Sequence, residues 1–168
     1  NIFDEKINFI IYKKKYTSVF DHIKSLIDHC ESEYIMILHD DDNIGKNFLK
    51  NTYESLQNYK PDALSSRANY IDSESRILKK RRIKSIKQTY KISSRKILNR
   101  YFLPFKDGQI IFPTIAFKNN LYKKYWKENN FFIGLHEDVK IVYYFSLGNN
   151  FFENGNAHNF FYRLHINQ

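Results

Sequence analysis

The sequence has almost no cysteine and no long apolar run, and both features narrow the protein's setting. Its single cysteine, Cys30, excludes an internal disulfide and predicts a reducing environment. No apolar run approaches the roughly 20 residues that a bilayer-spanning helix needs. The opening stretch NIFDEKINF does not have the charged-then-apolar layout of a signal peptide. We therefore expect a cytoplasmic protein.

Acidic residues are scarce relative to basic ones: 18 Asp and Glu stand against 27 Lys and Arg, for a net charge of +9. This balance favours polyanionic partners, which include nucleic acid, an anionic membrane surface and phosphorylated substrates. The densest basic run, KKRRIK, spans residues 79–84. Such a run is typical of a solvated surface segment as well as of a polyanion contact, and composition does not choose between the two.

A chain of 168 residues with 42% hydrophobic residues predicts one domain with a substantial core. In its first half, apolar segments of strand type alternate with segments of helical periodicity. These segments are a strand INFIIY at 7–12, a helix from about Thr17 to Cys30, a strand EYIMIL ending at His39, a helix with Phe48 and Leu56, and a strand ALSSRANYI at 63–71. The alternation predicts an α/β domain with a mostly parallel sheet flanked by helices.

The second half is less regular. The predicted elements are a basic helix with Ile86, Tyr90, Ile97 and Leu98, a strand IIFPTIAF at 110–117, a helix NNLYKKYWKE at 119–128, a helix LHEDVKIVYYFSLG at 135–148, and a strand within HNFFYRLHINQ at 158–168. A turn is expected at DSES, residues 72–75, and Gly148 is expected to end the last helix. No internal repeat and no long linker divides the chain.

Three consecutive carboxylates, Asp40, Asp41 and Asp42, follow the strand EYIMIL. Repelling charges at the carboxyl end of a strand, where ligands of α/β sheets collect, indicate a positively charged ligand. Mg²⁺ and Mn²⁺ take oxygen ligands and bridge carboxylates to phosphates. No cysteine cluster or His-x-x-x-His pair suggests zinc. The alternative is a helix cap, in which Asp42 or Asn43 caps the helix that contains Phe48.

The stretch EYIMILHDDDNIGKNFL resembles the strand, DxD-type motif and helix of the inverting family 2 glycosyltransferases, which have the GT-A fold. The resemblance implies that Asp42 ligates Mn²⁺ or Mg²⁺, with Asp40 as a second metal contact. It also implies that Asp40 and Asp41 face the nucleotide, and that the cation holds the diphosphate of a nucleotide-sugar donor.

The stretch FFIGLHEDVKIVYYFSLG is similar to the acceptor-side motif of the same family. The resemblance implies that Asp138 is the base that removes the proton of the acceptor hydroxyl, with Glu137 as its partner. The alternative is that both acids only stabilise a helix N-terminus through the macrodipole. Trp126, Phe131 and Phe132 lie near this motif, where they either stack on sugar rings or pack in the core.

The ending FYRLHINQ is similar to the YR-x-H sequence that follows the catalytic core in many bacterial members of the family. The resemblance implies that Arg163 and His165 contact the diphosphate or the metal. The chain carries three motifs in a fixed order: the acid triplet, then HED, then YRLH. This ordered combination is more specific for the family than any one of the motifs.

The resemblance covers nearly the whole chain and implies a single catalytic domain over residues 1–168. Its donor and metal half is expected at about 1–71 and its acceptor half at about 72–168. The implied reaction moves a sugar from a nucleotide-sugar donor to a hydroxyl of a polysaccharide or lipid-linked glycan. Lys79, Lys80, Arg81 and Arg82 would then contact the anionic inner face of the cell membrane.

One part of the family pattern has no counterpart here. Family members open with a strand-helix-strand unit that holds the base and ribose of the nucleotide, whereas this chain begins near the third strand. We therefore expect a GT-A-like domain that is incomplete at its N-terminus. It is either a fragment of a longer enzyme or a degenerate relative that lacks half of its donor site; we favour the fragment, and we expect it to bind nucleotide sugar weakly or not at all by itself.

A non-catalytic interpretation competes with this one. The stretch KKRRIKSIKQTYK mixes basic and aromatic residues, which suits a basic α/β module that binds nucleic acid. A glycosyltransferase-like scaffold is a related alternative. Three carboxylates at the expected ligand edge would repel a polyanion, so we expect no nucleic-acid partner.

Overall fold

The computed structural model describes residues 18–78, 88–103, 109–129, 136–148, 150–155 and 159–165. The predicted strand at 7–12, the basic run at 79–84, Ile86, Phe131 and Phe132 lie outside these residues. The helices are α1 (Val19–His29), α2 (Phe48–Tyr59), α3 (Ser94–Phe102), α4 (Asn119–Glu128) and α5 (Glu137–Leu147). The strands are β1 (Tyr34–Met36), β2 (Asn43–Ile44), β3 (Ala63–Ser65), β4 (Ala68–Ile71), β5 (Tyr90–Lys91), β6 (Ile115–Lys118), β7 (Phe151–Glu153) and β8 (Phe160–Arg163).

The described strands form two mixed sheets. The larger has the order β1-β6-β3-β7-β5, and the smaller has the order β2-β8-β4. Only the β3–β7 and β4–β8 pairs are parallel, and the other pairs described are antiparallel. The prediction of a mostly parallel sheet is therefore wrong for the described residues. The physical reason is that β6 inserts between β1 and β3 in the opposite direction.

Consecutive strands lie in different sheets at five places. The crossings run from β1 to β2, from β2 to β3, from β3 to β4, from β4 to β5, and from β7 to β8. The predicted single strand at 63–71 is thus two strands, interrupted at Ser66 and Arg67, both of which are buried. The crossings place the loop after β1 and the end of β8 side by side.

The helices follow their sequence signals closely. The Ser18 hydroxyl caps α1 by accepting a hydrogen bond from the Asp21 main-chain N–H at 3.1 Å. Gly148 follows the last residue of α5, as expected. The predicted turn after β4 is also present, because Asp72 Oδ1 accepts hydrogen bonds from the Glu74 and Arg76 N–H groups at 2.9 Å each.

Two local predictions are wrong. Tyr90 lies in strand β5 rather than in a helix, and α3 begins only at Ser94. The residues from Phe112 to Thr114 form a short 3-10 turn, because Pro113 cannot donate to a strand ladder, and the strand itself begins at Ile115.

β1 is half-buried rather than fully buried, and it lies at the edge of the larger sheet that the described strands form. An apolar cavity of about 360 Å³ lies between β1 and α2, with Met36, Leu49 and Tyr53 among its lining residues. No helix among those described is long and apolar enough to cross a bilayer.

The main core lies between the larger sheet and helices α1, α4 and α5. Phe117 of β6 contacts Tyr122 of α4 and Phe145 of α5, with ring centroids 5.1 and 4.8 Å apart. A second cluster lies beneath the smaller sheet, where the Phe48 and Phe160 rings are 5.4 Å apart and both side chains are fully buried. This second cluster fixes the start of α2 against β8.

A buried ion network lies where the chain crosses between sheets. Glu153, at the end of β7, accepts a hydrogen bond from Arg67 Nε at 2.5 Å and further bonds from Arg100 and the Tyr90 hydroxyl. The Glu153 side chain is 2% exposed, and those of Arg67 and Arg100 are 10% and 13% exposed. The Glu153 carboxylate therefore pairs with two guanidinium groups that solvent hardly reaches.

We expect Glu153→Gln to lower the free energy of unfolding by about 3–5 kcal/mol, because it removes the buried negative charge with which two buried guanidinium groups are paired. The matched control is Glu54→Gln on the surface of α2, where Glu54 lies 4.0 Å from Lys50 with half of each side chain exposed. That change should cost less than about 1 kcal/mol. Urea denaturation measures both, and equal losses would contradict the structural role of Glu153.

Candidate functional site

The acidic loop, residues 37–42, meets the end of β8 because of the register of β2. β2 pairs with β8 in antiparallel orientation, with Asn43 opposite Phe161. The residues just before Asn43 must therefore lie beside the residues just after Phe161. Accordingly, the Arg163 main-chain N–H donates a hydrogen bond to Asp42 Oδ1 at 2.9 Å.

The Arg163 side chain ties the acidic loop to the turn after β4. Its Nε donates to the main-chain oxygen of Asp41 at 2.8 Å. Its terminal nitrogens donate to the main-chain oxygens of Asp72 and Ser73 at 2.7 and 3.0 Å, and to Ser75 Oγ at 2.9 Å. The guanidinium therefore cross-links three segments that are far apart in sequence.

Asp41 is paired with an imidazole. His165 Nε2 lies 2.6 Å from Asp41 Oδ2. The hydrogen bond from His165 lowers the pKa of the Asp41 carboxyl, and the charges of His165 and His39 act in the same direction. Asp41 is thus held as a carboxylate at the mouth of the loop.

Asp42 is in the opposite situation. Its side chain is 2% exposed, and its Oδ2 atom is buried without a hydrogen-bond partner. Burial raises the pKa of the Asp42 carboxyl, and the charge of Asp41 raises it further. The alternative of a helix cap is wrong, because α2 is preceded by Asn47 and Asp42 is bound to Arg163.

The ligand atoms of His39, Asp41 and Asp42 lie within 4.8 Å of one another. His39 Nδ1 is 4.0 Å from the unpartnered Asp42 Oδ2. Asp40 is exposed and does not belong to this group. Two carboxylates, one of them with a buried and unsatisfied oxygen, fit a divalent cation, because a cation would satisfy that oxygen and relieve the repulsion between the two acids.

The two acids of the HED motif, Glu137 and Asp138, form hydrogen bonds with side chains of different helices. The Tyr101 hydroxyl of α3 donates a hydrogen bond to Asp138 Oδ2. Glu137 is 5% exposed and accepts hydrogen bonds from Tyr125 of α4 at 2.6 Å and from Lys140 at 3.1 Å. Glu137 therefore fastens α5 to α4, while Asp138 is oriented by α3.

The chain enters α5 through a left-handed residue. His136 has φ 76° and ψ 32°, a conformation that few non-glycine residues adopt. Its carbonyl oxygen accepts hydrogen bonds from the main-chain N–H groups of Val139 and Lys140. This turn directs the successive side chains of Glu137 and Asp138 to their separate partners.

Tyr162 is affected electrostatically by both the acidic loop and Asp138. Burial raises the pKa of its half-buried phenol. The negative charges of Asp42, Asp41 and Asp138 raise it further. The carboxylates of the acidic loop and of Asp138 therefore all act on the charge state of this one phenol.

The structure thus brings Asp41, Asp42, Arg163 and His165 into one cluster, and Asp138 acts electrostatically on Tyr162, as Asp41 and Asp42 do. Trp126 is 5% exposed and packs in the main core, which agrees with core packing and not with stacking on a sugar ring. Sequence reasoning did not single out His39, Tyr101 or Tyr162. His39 directly precedes the acid triplet and Tyr162 lies inside the YRLH motif, whereas the contact of Tyr101 with Asp138 depends on how α3 packs against α5.

Solved structures share this fold. S. aureus TarS, residues 1–349, in complex with UDP-GlcNAc superposes with a TM-score of 0.59 at 16% identity, over 86% of this chain and 38% of that one. The complex of the same protein with UDP gives 0.52 at 14% identity, over 84% and 38% of the two chains. This chain therefore spans less than half the length of TarS 1–349. No family model and no curated protein matches the sequence.

We expect Asp42→Asn to raise the melting temperature in metal-free buffer at neutral pH, because it removes a buried charge and its repulsion with Asp41. Each 1 kcal/mol gained corresponds to a rise of about 2–4 °C for a domain of this size. Because the pKa of Asp42 is raised in the folded protein, its ionisation costs stability as the pH rises. The higher melting temperature of the variant should therefore disappear at a pH well below 3.8, the ordinary pKa of an aspartic acid, where Asp42 is protonated in both the folded and the unfolded chain.

The matched control is Asp28→Asn, which removes an exposed carboxylate that pairs with Lys24 on α1. Thermal denaturation followed by circular dichroism, with a chelator present, compares the two variants with the unmodified chain. A lower melting temperature for Asp42→Asn than for the unmodified chain would contradict the account of Asp42 as a destabilising buried acid.

Proposed function

We propose that this chain is the catalytic part of a metal-dependent inverting glycosyltransferase. It would move a sugar from a nucleotide-sugar donor to a hydroxyl of a polysaccharide or lipid-linked glycan. The observation that carries the proposal is the cluster of Asp41, Asp42 and His165 beside Tyr162, with Asp138 within reach of the same phenol.

The acidic cluster suits a cation that is shared with a diphosphate. Asp41 and Asp42 would hold Mn²⁺ or Mg²⁺, with Asp40 exposed at the mouth to face the nucleotide. When bound, the cation supplies positive charge that stabilises the leaving diphosphate. Arg163 already donates to four acceptors, so its contribution to a diphosphate site is to hold the loop in place and to add positive potential.

The fold supports a nucleotide-sugar donor. TarS shares the fold and has been solved with UDP-GlcNAc and with UDP. UDP-GlcNAc is a nucleotide sugar whose diphosphate carries the negative charge that a cation at Asp41 and Asp42 would neutralise. We therefore propose a nucleotide sugar as the donor of this chain, without specifying which sugar it carries.

Asp138 is the proposed base. As the acceptor oxygen forms a bond to the anomeric carbon, its proton passes to the Asp138 carboxylate. The bond between the anomeric carbon and the diphosphate oxygen breaks, and its electron pair leaves with the nucleoside diphosphate. Tyr101 holds Asp138 Oδ2, which fixes the plane of the carboxylate relative to the incoming hydroxyl.

Glu137 has a positioning role in this proposal. Its side chain is held by Tyr125 and Lys140, so it supports the base by fixing the first turn of α5. The proposed membrane contact through residues 79–82 lies outside the described residues, as does the basic run on which the nucleic-acid alternative depends. The carboxylate cluster argues against that alternative, because a polyanion is repelled where Asp41 and Asp42 meet.

In the full-length protein, Asp138→Asn should lower the rate of sugar transfer by roughly 10²–10⁴-fold, because an amide cannot accept the proton. Binding of UDP with Mn²⁺, measured by calorimetry, should stay within twofold of the unmodified protein. A transfer assay with labelled donor measures the first effect.

Asp28→Asn is again the control, since its carboxylate lies on the exposed face of α1 and should leave transfer unchanged. Full turnover by Asp138→Asn would remove Asp138 from the proposed role. No transfer from any nucleotide sugar by the unmodified full-length protein would overturn the proposed function itself.

A further inference from the structure

His39 brings a nitrogen donor to a site that otherwise offers carboxylate oxygens. It immediately precedes the acid triplet, and its Nδ1 atom is 4.0 Å from Asp42 Oδ2. The imidazole is 46% exposed, so solvent and a metal ion can reach it. His39 is grouped with Asp41 and Asp42 by distance, whereas Asp40 is not.

Asp42 Oδ2 is an independent sign of a missing ligand. The atom has no hydrogen-bond partner, and the Asp42 side chain is only 2% exposed, so water hardly reaches it. A buried carboxylate oxygen without a partner is costly. Because this oxygen lies 4.0 Å from His39 Nδ1, a single cation between the two atoms would bind both.

The donor set determines which cation is favoured. Mg²⁺ requires a near-ideal octahedron of oxygens, keeps several waters, and gains little from an imidazole. First-row transition metals accept imidazole nitrogen readily, and their affinity rises from Mn²⁺ through Co²⁺ to later members of the series. His165, which contacts Asp41, places a second imidazole beside the same group.

We infer that His39 is a nitrogen ligand of the cation at this site and makes the site selective for first-row transition metals over Mg²⁺. The inference deepens the proposed function, on which it rests for the presence of a cation, and it narrows the proposed Mn²⁺ or Mg²⁺ to Mn²⁺ and its transition-metal neighbours. Asp41 and Asp42 supply the negative charge that binds the cation, and His39 supplies the nitrogen ligand that favours a transition metal over Mg²⁺.

The test is a titration of the 168-residue chain with Co²⁺ in the absence of nucleotide, followed by the visible absorption of the bound ion. We expect bound Co²⁺ to resist displacement by a 100-fold excess of Mg²⁺ and to be displaced by Mn²⁺ at high excess. His39→Asn should weaken Co²⁺ binding roughly tenfold or more and change the absorption spectrum. His29→Asn, which removes an exposed histidine at the end of α1, should do neither.

Circular dichroism of His39→Asn checks that the variant folds, and Asp42→Asn serves as a second variant that should also lose Co²⁺ binding. Unchanged affinity and spectrum in folded His39→Asn would overturn the inference, as would displacement of Co²⁺ by an equal concentration of Mg²⁺. Absence of Co²⁺ binding to the unmodified chain would overturn it too.

These outcomes are separate from those that concern the reaction. If Co²⁺ binds through Asp42 but not His39, the inference fails and the proposed glycosyl transfer is untouched. If Co²⁺ binds through His39 but the full-length protein transfers no sugar, the proposed function fails and the metal site remains.

Discussion

Arg163 holds the candidate site together. Its main-chain N–H binds Asp42, and its guanidinium binds the main chain of Asp41, Asp72 and Ser73. Without these bonds, two neighbouring carboxylates at the end of a loop would move apart, because their charges repel. The arrangement of Asp41 beside His165, and of Asp42 in a buried position, therefore depends on one arginine at the end of β8.

The position of β8 depends in turn on the crossings between the two sheets. Arg67 lies at the crossing from β3 to β4, and Glu153 lies at the end of β7, just before the crossing to β8. Their buried ion pair, joined by Arg100 of α3, connects both crossings. The same α3 provides Tyr101, which orients Asp138. One buried network thus supports both the acidic cluster and the proposed base.

The sequence predicted the helices well and the sheets poorly, for physical reasons. Helices of nine to twelve residues are long enough for their composition and periodicity to be recognised, and Ser18 and Gly148 mark the start of α1 and the end of α5. Strands of two residues, such as β2 and β5, are too short to carry a pattern, and strand direction is set by tertiary pairing. Asp41 and Asp42 were recognisable from clustered charge, and His165 from its motif. Tyr101 was not, because its role depends on how α3 packs against α5.

The proposed site requires a cation between Asp41 and Asp42, where β8 meets the acidic loop. Anomalous scattering from crystals of this chain grown with Mn²⁺ tests this most directly. We predict a manganese peak in direct contact with carboxylate oxygens of both residues. A manganese peak elsewhere, or the two carboxylates turned apart and free of metal, would contradict the proposed site.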